Sequence, residues 1–344
     1  MMKSYMRSHL RDSLKTLLYL VAFSVAVTLI FSGSNQCYPN EDYIDGEWIV
    51  TGYYYSSMLG IPVTILANSC FALPVLEFSF FKKRRNLDCA YALPISRREM
   101  GIVHYLTGLL LLVIPYTCSY LINFLLMLRY PGAFDYRLLF EHYILCMLLG
   151  ICIYSVYVFV FNEANSTGDG VWFIILWTFV FYLIARALFG ISYYDNLSEM
   201  GISFMALNGF TASYMDIIDG DRVALTADIW ENTKGMIYIS LWLVLGILSM
   251  IGHYLTFGKR PAQHTEEVSD SWFGYRVMIP IYAVCGMVLW QDIGAWLIVE
   301  VIAVVGYMIY RKGLHLKKSD WILLVVFPVI AYIMTTVTAL LYWN

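Results

Sequence analysis

Three ionisable residues that lie inside long apolar runs are the first candidates for chemistry in this sequence: Glu77, Arg186 and Glu300. Ionised side chains are costly within a bilayer, and where they occur they often line a pathway for an ion or a substrate. Glu77 lies near the inner end of its run. For this residue, pairing with Lys82 or contact with water is favoured over a role in transport.

The other polar residues of the apolar runs also have structural interpretations. Arg186 lies in the outer third of its run, where its guanidinium can reach the interface or meet an acid of the outer loop. Glu300 lies mid-run, so we expect it to pair within the protein, with Arg276 as a candidate, or to stay protonated. Asn68 and Asn123 are expected to form hydrogen bonds between helices. No acidic–basic relay follows any one run, which argues against a proton-coupled antiporter.

Motifs for catalysis and nucleotide binding are missing from the sequence. The nearest approach to a phosphate-binding loop, Gly252–Arg260, has one residue too many between its glycines and lacks the Ser or Thr that would hold magnesium. Neither HExxH nor GxSxG occurs. The six histidines are scattered, and we expect each in a helix interface or a loop. No metal site and no cofactor is predicted, and an ATP-driven function would need an ATPase on another chain.

The composition indicates the class of protein that must position these residues. Of the 344 residues, 60% are hydrophobic and 14% are charged, whereas soluble domains carry about 25% charge. Mean hydropathy is +0.65, and apolar runs of about 20 residues recur. The seven cysteines form no CxxC pair, so no disulfide framework or zinc site is indicated. We predict an all-α, polytopic helical membrane protein.

Nine apolar runs are predicted to cross the membrane. Lys and Arg clusters stay on the cytoplasmic side of such spans. The cation-rich loops after spans two, six and eight are therefore placed inside, and the acidic stretch 41–47 outside. The N-terminus is then cytoplasmic and the C-terminus outside. The spans are predicted at about 17–31, 54–81, 101–128, 142–161, 170–189, 235–257, 273–289, 293–310 and 321–343.

Four segments outside these spans carry further expectations. Segment 3–16 has a basic and an apolar face, so a helix along the inner headgroups is favoured over a simple cytoplasmic start of span one. The apolar, glycine-interrupted part of 190–232 is predicted to dip into the outer leaflet as a broken helix covered by protein. The turn 162–169 is placed inside although it lacks the expected cations, and 259–272 is predicted to be a cytoplasmic linker.

The loop 82–100 has the most specific local pattern. Residues 87–93 are compatible with one or two helical turns, and Pro94 biases Leu93 away from helical angles. Ser96, with a glutamate three residues later, is predicted to form a capping box that starts the next helix. A short helix across the base of two membrane helices could transmit force from a cytoplasmic partner. The residues support equally an ordinary positive-inside loop whose charges only set orientation.

The pattern Asp88-x-x-Tyr91-x-Leu93-Pro94-Ile95-Ser96-Arg97, followed by a small-residue apolar helix, resembles the permease subunits of bacterial ABC-2-type transporters. The likeness is specific in this loop and diffuse elsewhere. In those subunits the equivalent segment is the coupling helix that docks into the ATPase subunit. The resemblance implies that role for Leu87, Asp88, Tyr91, Leu93, Pro94, Ser96 and Arg97.

The resemblance also implies an architecture and a set of partners. It implies a six-helix core at 1–258, with the N-terminal amphipathic helix and the coupling loop 82–100, followed by a three-helix extension at 259–344. Two permease subunits, identical or paralogous, would pair with two ATPase subunits in the lipid of the bacterial plasma membrane, without nucleic acid. Spans two and five would move at the permease interface. The cargo would be exported: a hydrophobic or antimicrobial peptide, or a lipid-like or envelope compound.

A second hypothesis belongs to a different class: a membrane-embedded enzyme or a secondary transporter that works without an ATPase. An enzyme would need catalytic acids or histidines clustered near one face, and a transporter would need inverted repeats. Neither is evident in the sequence. Co-purification of an ATPase in mild detergent would separate the two hypotheses.

Overall fold

A computed structural model provides the structure of the protein. It describes residues 2–32, 37–44, 47–55, 59–128, 136–189, 202, 206–208, 210–211, 233–259, 265–290 and 292–342. Three connections between the predicted spans therefore lie wholly or largely outside the described residues. They are 129–135 between spans three and four, most of the segment 190–232, and positions 260–264 of the predicted linker 259–272.

Helices dominate the described chain. The long helices are α1 (Met2–Ser32), α2 (Gly60–Phe78), α4 (Arg97–Met127), α5 (Tyr136–Glu163), α6 (Thr167–Phe189), α7 (Thr233–Thr256), α8 (Tyr275–Leu289), α9 (Ile293–Arg311) and α10 (Lys318–Tyr342), and a short helix, α3 (Arg84–Tyr91), lies between α2 and α4. Single 3₁₀ turns follow α2 at Ser79–Lys82 and α7 at Phe257–Lys259. The prediction of an all-α, polytopic membrane protein is confirmed.

Eight of the described helices are long and apolar enough to cross a membrane, one fewer than predicted. The ninth candidate, α8, has 15 residues and is about 22 Å long, short of the roughly 30 Å of a hydrocarbon core. It nevertheless runs parallel to α6. The Tyr275 hydroxyl donates to Asp169, and the Tyr282 hydroxyl donates to the Leu176 carbonyl. Each of these α8 residues thus contacts the α6 residue 106 positions before it, so the two helices run side by side in the same direction.

The N-terminal segment does not form a separate interfacial helix. Residues 3–16 continue without a break into the first span as α1, so the favoured interpretation is wrong and this segment is the start of a long helix. Small polar side chains join α1 to α4: Ser24 Oγ donates to the Pro115 carbonyl over 3.3 Å, and Thr28 Oγ1 lies 2.6 Å from Ser119 Oγ. Such pairs hold helices together in lipid, where the hydrophobic effect does not.

A β-hairpin, which the sequence analysis missed, follows α1. Strands β1 (Cys37–Ile44) and β2 (Glu47–Tyr55) pair antiparallel, with a register shift at Asn40/Glu41. The predicted second span began at Tyr54, whereas α2 begins at Gly60. The aromatic and β-branched residues of 48–55 favour a strand, and their apolar character made them look like an extension of the span.

Two hydrophobic clusters make up the interior. The first lies between α2, α4, α5, α6 and α7, with α5 at its centre. The second joins α8, α9 and α10 to the last turns of α6. Helix α6 therefore belongs to both clusters, and the C-terminal helices pack against the rest of the bundle through it.

The loops that the sequence analysis placed inside lie together at one end of the bundle, called here the loop end. At this end, hydrogen bonds join the segment 82–84 to 162–165 and to 265–267. Other hydrogen bonds join the segment 269–271 to 163–169. At the same end, Arg311 forms two hydrogen bonds with Asp320, 2.8 and 2.9 Å long. The hairpin precedes α2 and so lies toward the opposite end.

Candidate functional site

The segment between α2 and α4 is the candidate site that the sequence predicted. Helix α3 runs from Arg84 to Tyr91, close to the predicted helical turns, and a bend follows before α4 begins at Arg97. The capping box is confirmed: the Glu99 amide donates to Ser96 Oγ over 3.3 Å, and the Ser96 amide donates to Glu99 Oε2 over 3.0 Å. These two bonds set the direction in which the chain enters α4.

The seven predicted coupling residues do not all face outward. Leu87 is buried in the first hydrophobic cluster and anchors α3 to the bundle. Leu93, Pro94 and Ser96 are exposed in the bend, and Arg97 is half-buried. The side chains of Asp88 and Tyr91 lie outside the described part of the structure. The exposed surface is therefore the bend, whereas Leu87 has a structural role.

Four consecutive cations occupy positions 82–85, and two of them, Lys82 and Arg84, make specific contacts instead of only setting orientation. The buried Lys82 ammonium donates to the carbonyls of Asn162 and Ala164, at 3.0 and 2.5 Å. A cation at the last carbonyls of a helix is favourable because that end carries partial negative charge. Lys82 therefore supplies, from the neighbouring loop, the cation that the turn 162–169 lacks.

The predicted linker 259–272 is a docked segment over its described part. The Arg84 guanidinium donates to the Thr265 carbonyl over 2.9 Å. Further along, the Ser269 amide donates to Asp169 Oδ2 over 3.1 Å, and Ser271 Oγ donates to Glu163 Oε2 over 2.8 Å. The entry to the C-terminal helices is thereby tied to the turn between α5 and α6 and to the start of α3.

Glu77 lies in a cluster that the sequence analysis did not predict. Its Oε2 atom is 3.0 Å from His9 Nε2 and 3.2 Å from His104 Nδ1. The other ring nitrogen of His104 is 3.1 Å from the Tyr5 hydroxyl. The predicted pairing of Glu77 with Lys82 is wrong, because the Lys82 ammonium donates to backbone carbonyls instead. Three helices, α1, α2 and α4, meet at this cluster.

Aromatic rings surround the Glu77 cluster. The rings of His9 and His104 have centroids 4.0 Å apart, and those of Phe78 and Phe81 lie 6.0 and 4.8 Å from His104. Side chains of Glu77 and His104 are only 8% and 7% exposed, whereas His9 is 19% exposed. The cluster is therefore a polar site in an apolar shell, with its more open side at α1. Residues 9, 77 and 104 are too far apart in sequence for any spacing to reveal it.

Arg186 lies near the end of α6, where its guanidinium donates to the Tyr182 hydroxyl and lies 5.8 Å from that ring's centroid. Both side chains line a cavity of about 610 Å³ between α6, α8 and α9. The remaining lining is mostly apolar and includes Leu183, Tyr282 and Trp290. The outer-loop acids that were one expected partner of Arg186 lie outside the described residues.

Three further polar residues were predicted to lie inside membrane spans: Glu300, Asn68 and Asn123. Glu300 forms no ion pair or hydrogen bond with another described residue, and the Arg276 guanidinium stacks over Trp272 instead, so the expected pair is wrong. Asn68 donates to the Thr64 carbonyl of its own helix over 2.8 Å, not to a neighbouring helix. It lines a cavity of about 240 Å³. Asn123 is fully buried in α4.

Two other histidines join helices, as expected of an interface role. His253 on α7 is 3.2 Å from Asn162 on α5. His142 on α5 is fully buried, with its ring nitrogens 3.1 Å from the Tyr120 hydroxyl and 3.1 Å from Thr211 Oγ1. Thr211 belongs to the apolar stretch predicted to be a covered, broken helix; of that stretch, 206–208 and 210–211 are described, helical and largely buried.

Comparison with models of protein families, with curated proteins and with solved structures yields no match to this chain.

Proposed function

We propose that this protein is the membrane-spanning permease subunit of an ATP-driven ABC exporter, powered by separate ATPase subunits. The observation that carries the proposal is the exposed bend at 92–96, held between α3 and the capped start of α4 at the loop end. Leu93 is an apolar side chain left 42% exposed there. Leu93, with the exposed Pro94 and Ser96 beside it, is an apolar side chain that a docked partner protein would cover.

Force applied to this bend would reach the membrane helices through three contacts. Leu87 inserts into the hydrophobic cluster, so α3 cannot move independently of it. Arg84 ties α3 to the Thr265 carbonyl, and Lys82 ties the preceding turn to the end of α5. A push on the bend would therefore move α2, α4 and α5 together, since packed elements transmit displacement as rigid bodies.

The energy source and the cargo follow from the same proposal. The chain has no nucleotide-binding loop, so two ATPase subunits would supply hydrolysis and a second permease, identical or paralogous, would complete the pathway in the bacterial plasma membrane. A hydrophobic or antimicrobial peptide, or a lipid-like or envelope compound, is the proposed cargo. The largely apolar cavity beside Arg186 suits amphipathic molecules of this kind. The N-terminus would be cytoplasmic and the C-terminus outside.

One observation favours the second candidate, a membrane-embedded enzyme. His9, Glu77 and His104 form the cluster of an acid and histidines near one face that such an enzyme requires. None of the cavities described above is lined by these three residues. An enzyme would have to bind its substrate from the exposed side of His9, so the exporter remains the preferred proposal.

The test is co-purification of an ATPase with tagged protein from its native cells in mild detergent. Wild type should retain an ATP-hydrolysing partner. Leu93→Asp should reduce the retained ATPase at least tenfold, because it places an unpaired charge in the contact. The matched control is Leu314→Asp, since Leu314 is a more exposed leucine in another turn of the loop end. Absence of any ATPase with the wild type, or equal loss in both variants, would refute the proposal.

A further inference from the structure

We propose that His9, Glu77 and His104 form a binding site for a transition-metal ion of the zinc class. Each residue offers one ligand atom, and these atoms all lie within 4.8 Å of one another. The nitrogens that face Glu77 Oε2 are His9 Nε2 and His104 Nδ1. The carboxylate oxygen is 3.0 Å from one imidazole nitrogen and 3.2 Å from the other. Three donors from three helices thus converge on one point.

The donor set selects the class of ion. Two imidazole nitrogens and one carboxylate suit zinc and neighbouring transition metals, whereas calcium and magnesium prefer oxygen ligands. In a tetrahedral zinc site with bonds of about 2.0–2.1 Å, ligand atoms lie about 3.3 Å apart. The two carboxylate–imidazole separations are close to that value, and the imidazole ligand atoms lie within 4.8 Å of each other, so side-chain rotations could bring all three donors to bonding distance. Three protein ligands would leave the fourth position for water or another ligand.

The surroundings of the cluster fit a metal site in two further ways. The Tyr5 hydroxyl, 3.1 Å from His104 Nε2, can accept a hydrogen bond from a protonated Nε2, which would leave Nδ1 free to bind the ion. The Phe78 and Phe81 rings exclude water from His104. Such an outer shell fixes the orientation of a ligating imidazole and strengthens its bond to the metal.

An independent observation comes from Tyr154, which is fully buried and whose hydroxyl has no hydrogen-bond partner among the described residues. A methyl group placed on Gly108 would lie 1.9 Å from that hydroxyl oxygen and 3.5 Å from Glu77 Cγ. The hydroxyl and the Glu77 side chain therefore both border α4 at Gly108. Burying an unpaired hydroxyl is costly, so its presence suits a site that receives a further polar ligand.

A metal here would clamp α1 to the two helices that bracket the coupling segment. Glu77 precedes the Ser79–Lys82 turn, and His104 lies two turns into α4. His9 is the ligand contributed by α1, and its side is the more open one. Metal binding would thus lock the N-terminal helix against the base of α2 and α4. All three ligands belong to this chain, so metal binding does not require an ATPase partner.

The experiment measures zinc binding by the purified full-length protein in detergent, after treatment with EDTA. Equilibrium dialysis followed by elemental analysis should find one zinc per chain, and Co²⁺ should give the visible absorption of a four-coordinate site. Zinc should also raise the apparent melting temperature. His9→Ala and Glu77→Gln should each weaken binding at least tenfold and abolish the zinc-dependent rise in melting temperature.

His315→Ala is the matched control, because His315 is an exposed histidine of the loop end that should contribute nothing. His9 lies at the rim of the cluster, so its loss should leave the fold intact as judged by size-exclusion chromatography without metal. Zinc affinity equal to that of the wild type in both ligand variants would overturn the proposal. So would absence of stoichiometric zinc in the wild type, or an equal loss in His315→Ala.

Discussion

At the scale of single residues, Lys82 is a buried cation with a defined task. Its ammonium donates to the Asn162 and Ala164 carbonyls at the end of α5 and lies 5.5 Å from the Phe161 ring centroid. The positive-inside rule treats Lys82 and the three cations after it alike. Only their contacts in the structure distinguish them. Lys83, Arg84 and Arg85 are all exposed, but Arg84, like the buried Lys82, reaches another loop.

Lys82→Met should destabilise the protein, because the α5 carbonyls lose their donor while remaining buried. Such a loss costs about 1–3 kcal/mol. We expect the apparent melting temperature in detergent to fall by several degrees. Lys83→Met removes the same charge from an exposed position and should change it little. Equal effects of the two substitutions would mean that only total loop charge matters.

Glu300 is the second residue with a distinct prediction. It lies on α9 between the exposed side chains Leu297 and Val301 and has no described partner. Removing a carboxyl from such a position should relieve a cost, so Glu300→Leu should raise the melting temperature or leave it unchanged. Glu300→Lys should lower membrane expression. A loss of stability in Glu300→Leu would instead indicate that a partner outside this chain pairs with the acid.

At the scale of elements, Asp169 joins the first turn of α6 to the C-terminal helices. One carboxylate oxygen accepts from the Ser269 amide at 3.1 Å and the other from the Tyr275 hydroxyl at 2.9 Å. The short helix α8 thereby starts at the level of the α6 N-terminus and follows α6 toward the opposite end. The path of α8 therefore follows that of α6.

Asp169→Ala should release the segment 265–271 from the bundle, since both bonds end on one side chain. We expect cleavage within 259–274 by a protease added to protein in detergent to become at least several times faster. Glu141→Ala is a suitable control, because Glu141 forms an exposed pair with Arg137 that contributes little. Unchanged cleavage in Asp169→Ala would show that packing alone holds the segment.

At the scale of the whole molecule, the loop end gathers the cation-rich segments at 82–85 and 311–318 that the structure describes, and the hairpin lies toward the other end. The bundle consists of two hydrophobic clusters that share α6. Large apolar side chains remain exposed along α1, α9 and α10, as expected of helices that face lipid or a second subunit.

Cysteine labelling tests the sidedness of this arrangement. In a cysteine-free background, Lys83→Cys and Leu314→Cys should react with an impermeant reagent only after permeabilisation, because both are exposed at the loop end. Glu47→Cys, in the hairpin, should react in intact cells. Reaction of the position-83 cysteine in intact cells would reverse the orientation. Opposite results at positions 83 and 314 would contradict the common end.

The helical membrane class, most span positions and the start of α4 follow from the sequence by itself. Apolar runs identify spans because lipid leaves the backbone of a span few alternatives to a helix. The Ser96–Glu99 box depends only on residues three apart, so it too is readable locally. The hairpin and the unbroken α1 were missed, because aromatic strands resemble span ends and an amphipathic face does not reveal whether a helix stops.

Only the tertiary structure decided which side chains meet. Glu77 pairs with His9 and His104 instead of the nearby Lys82, and Leu87 is buried although it lies in the predicted docking segment. Contacts such as Arg84 with the Thr265 carbonyl join positions 181 residues apart. Local spacing carries no information about such pairs, because they depend on how the helices are arranged around one another. Interactions at the candidate site were therefore predictable from the sequence only where the partners lie a few residues apart, as Ser96 and Glu99 do.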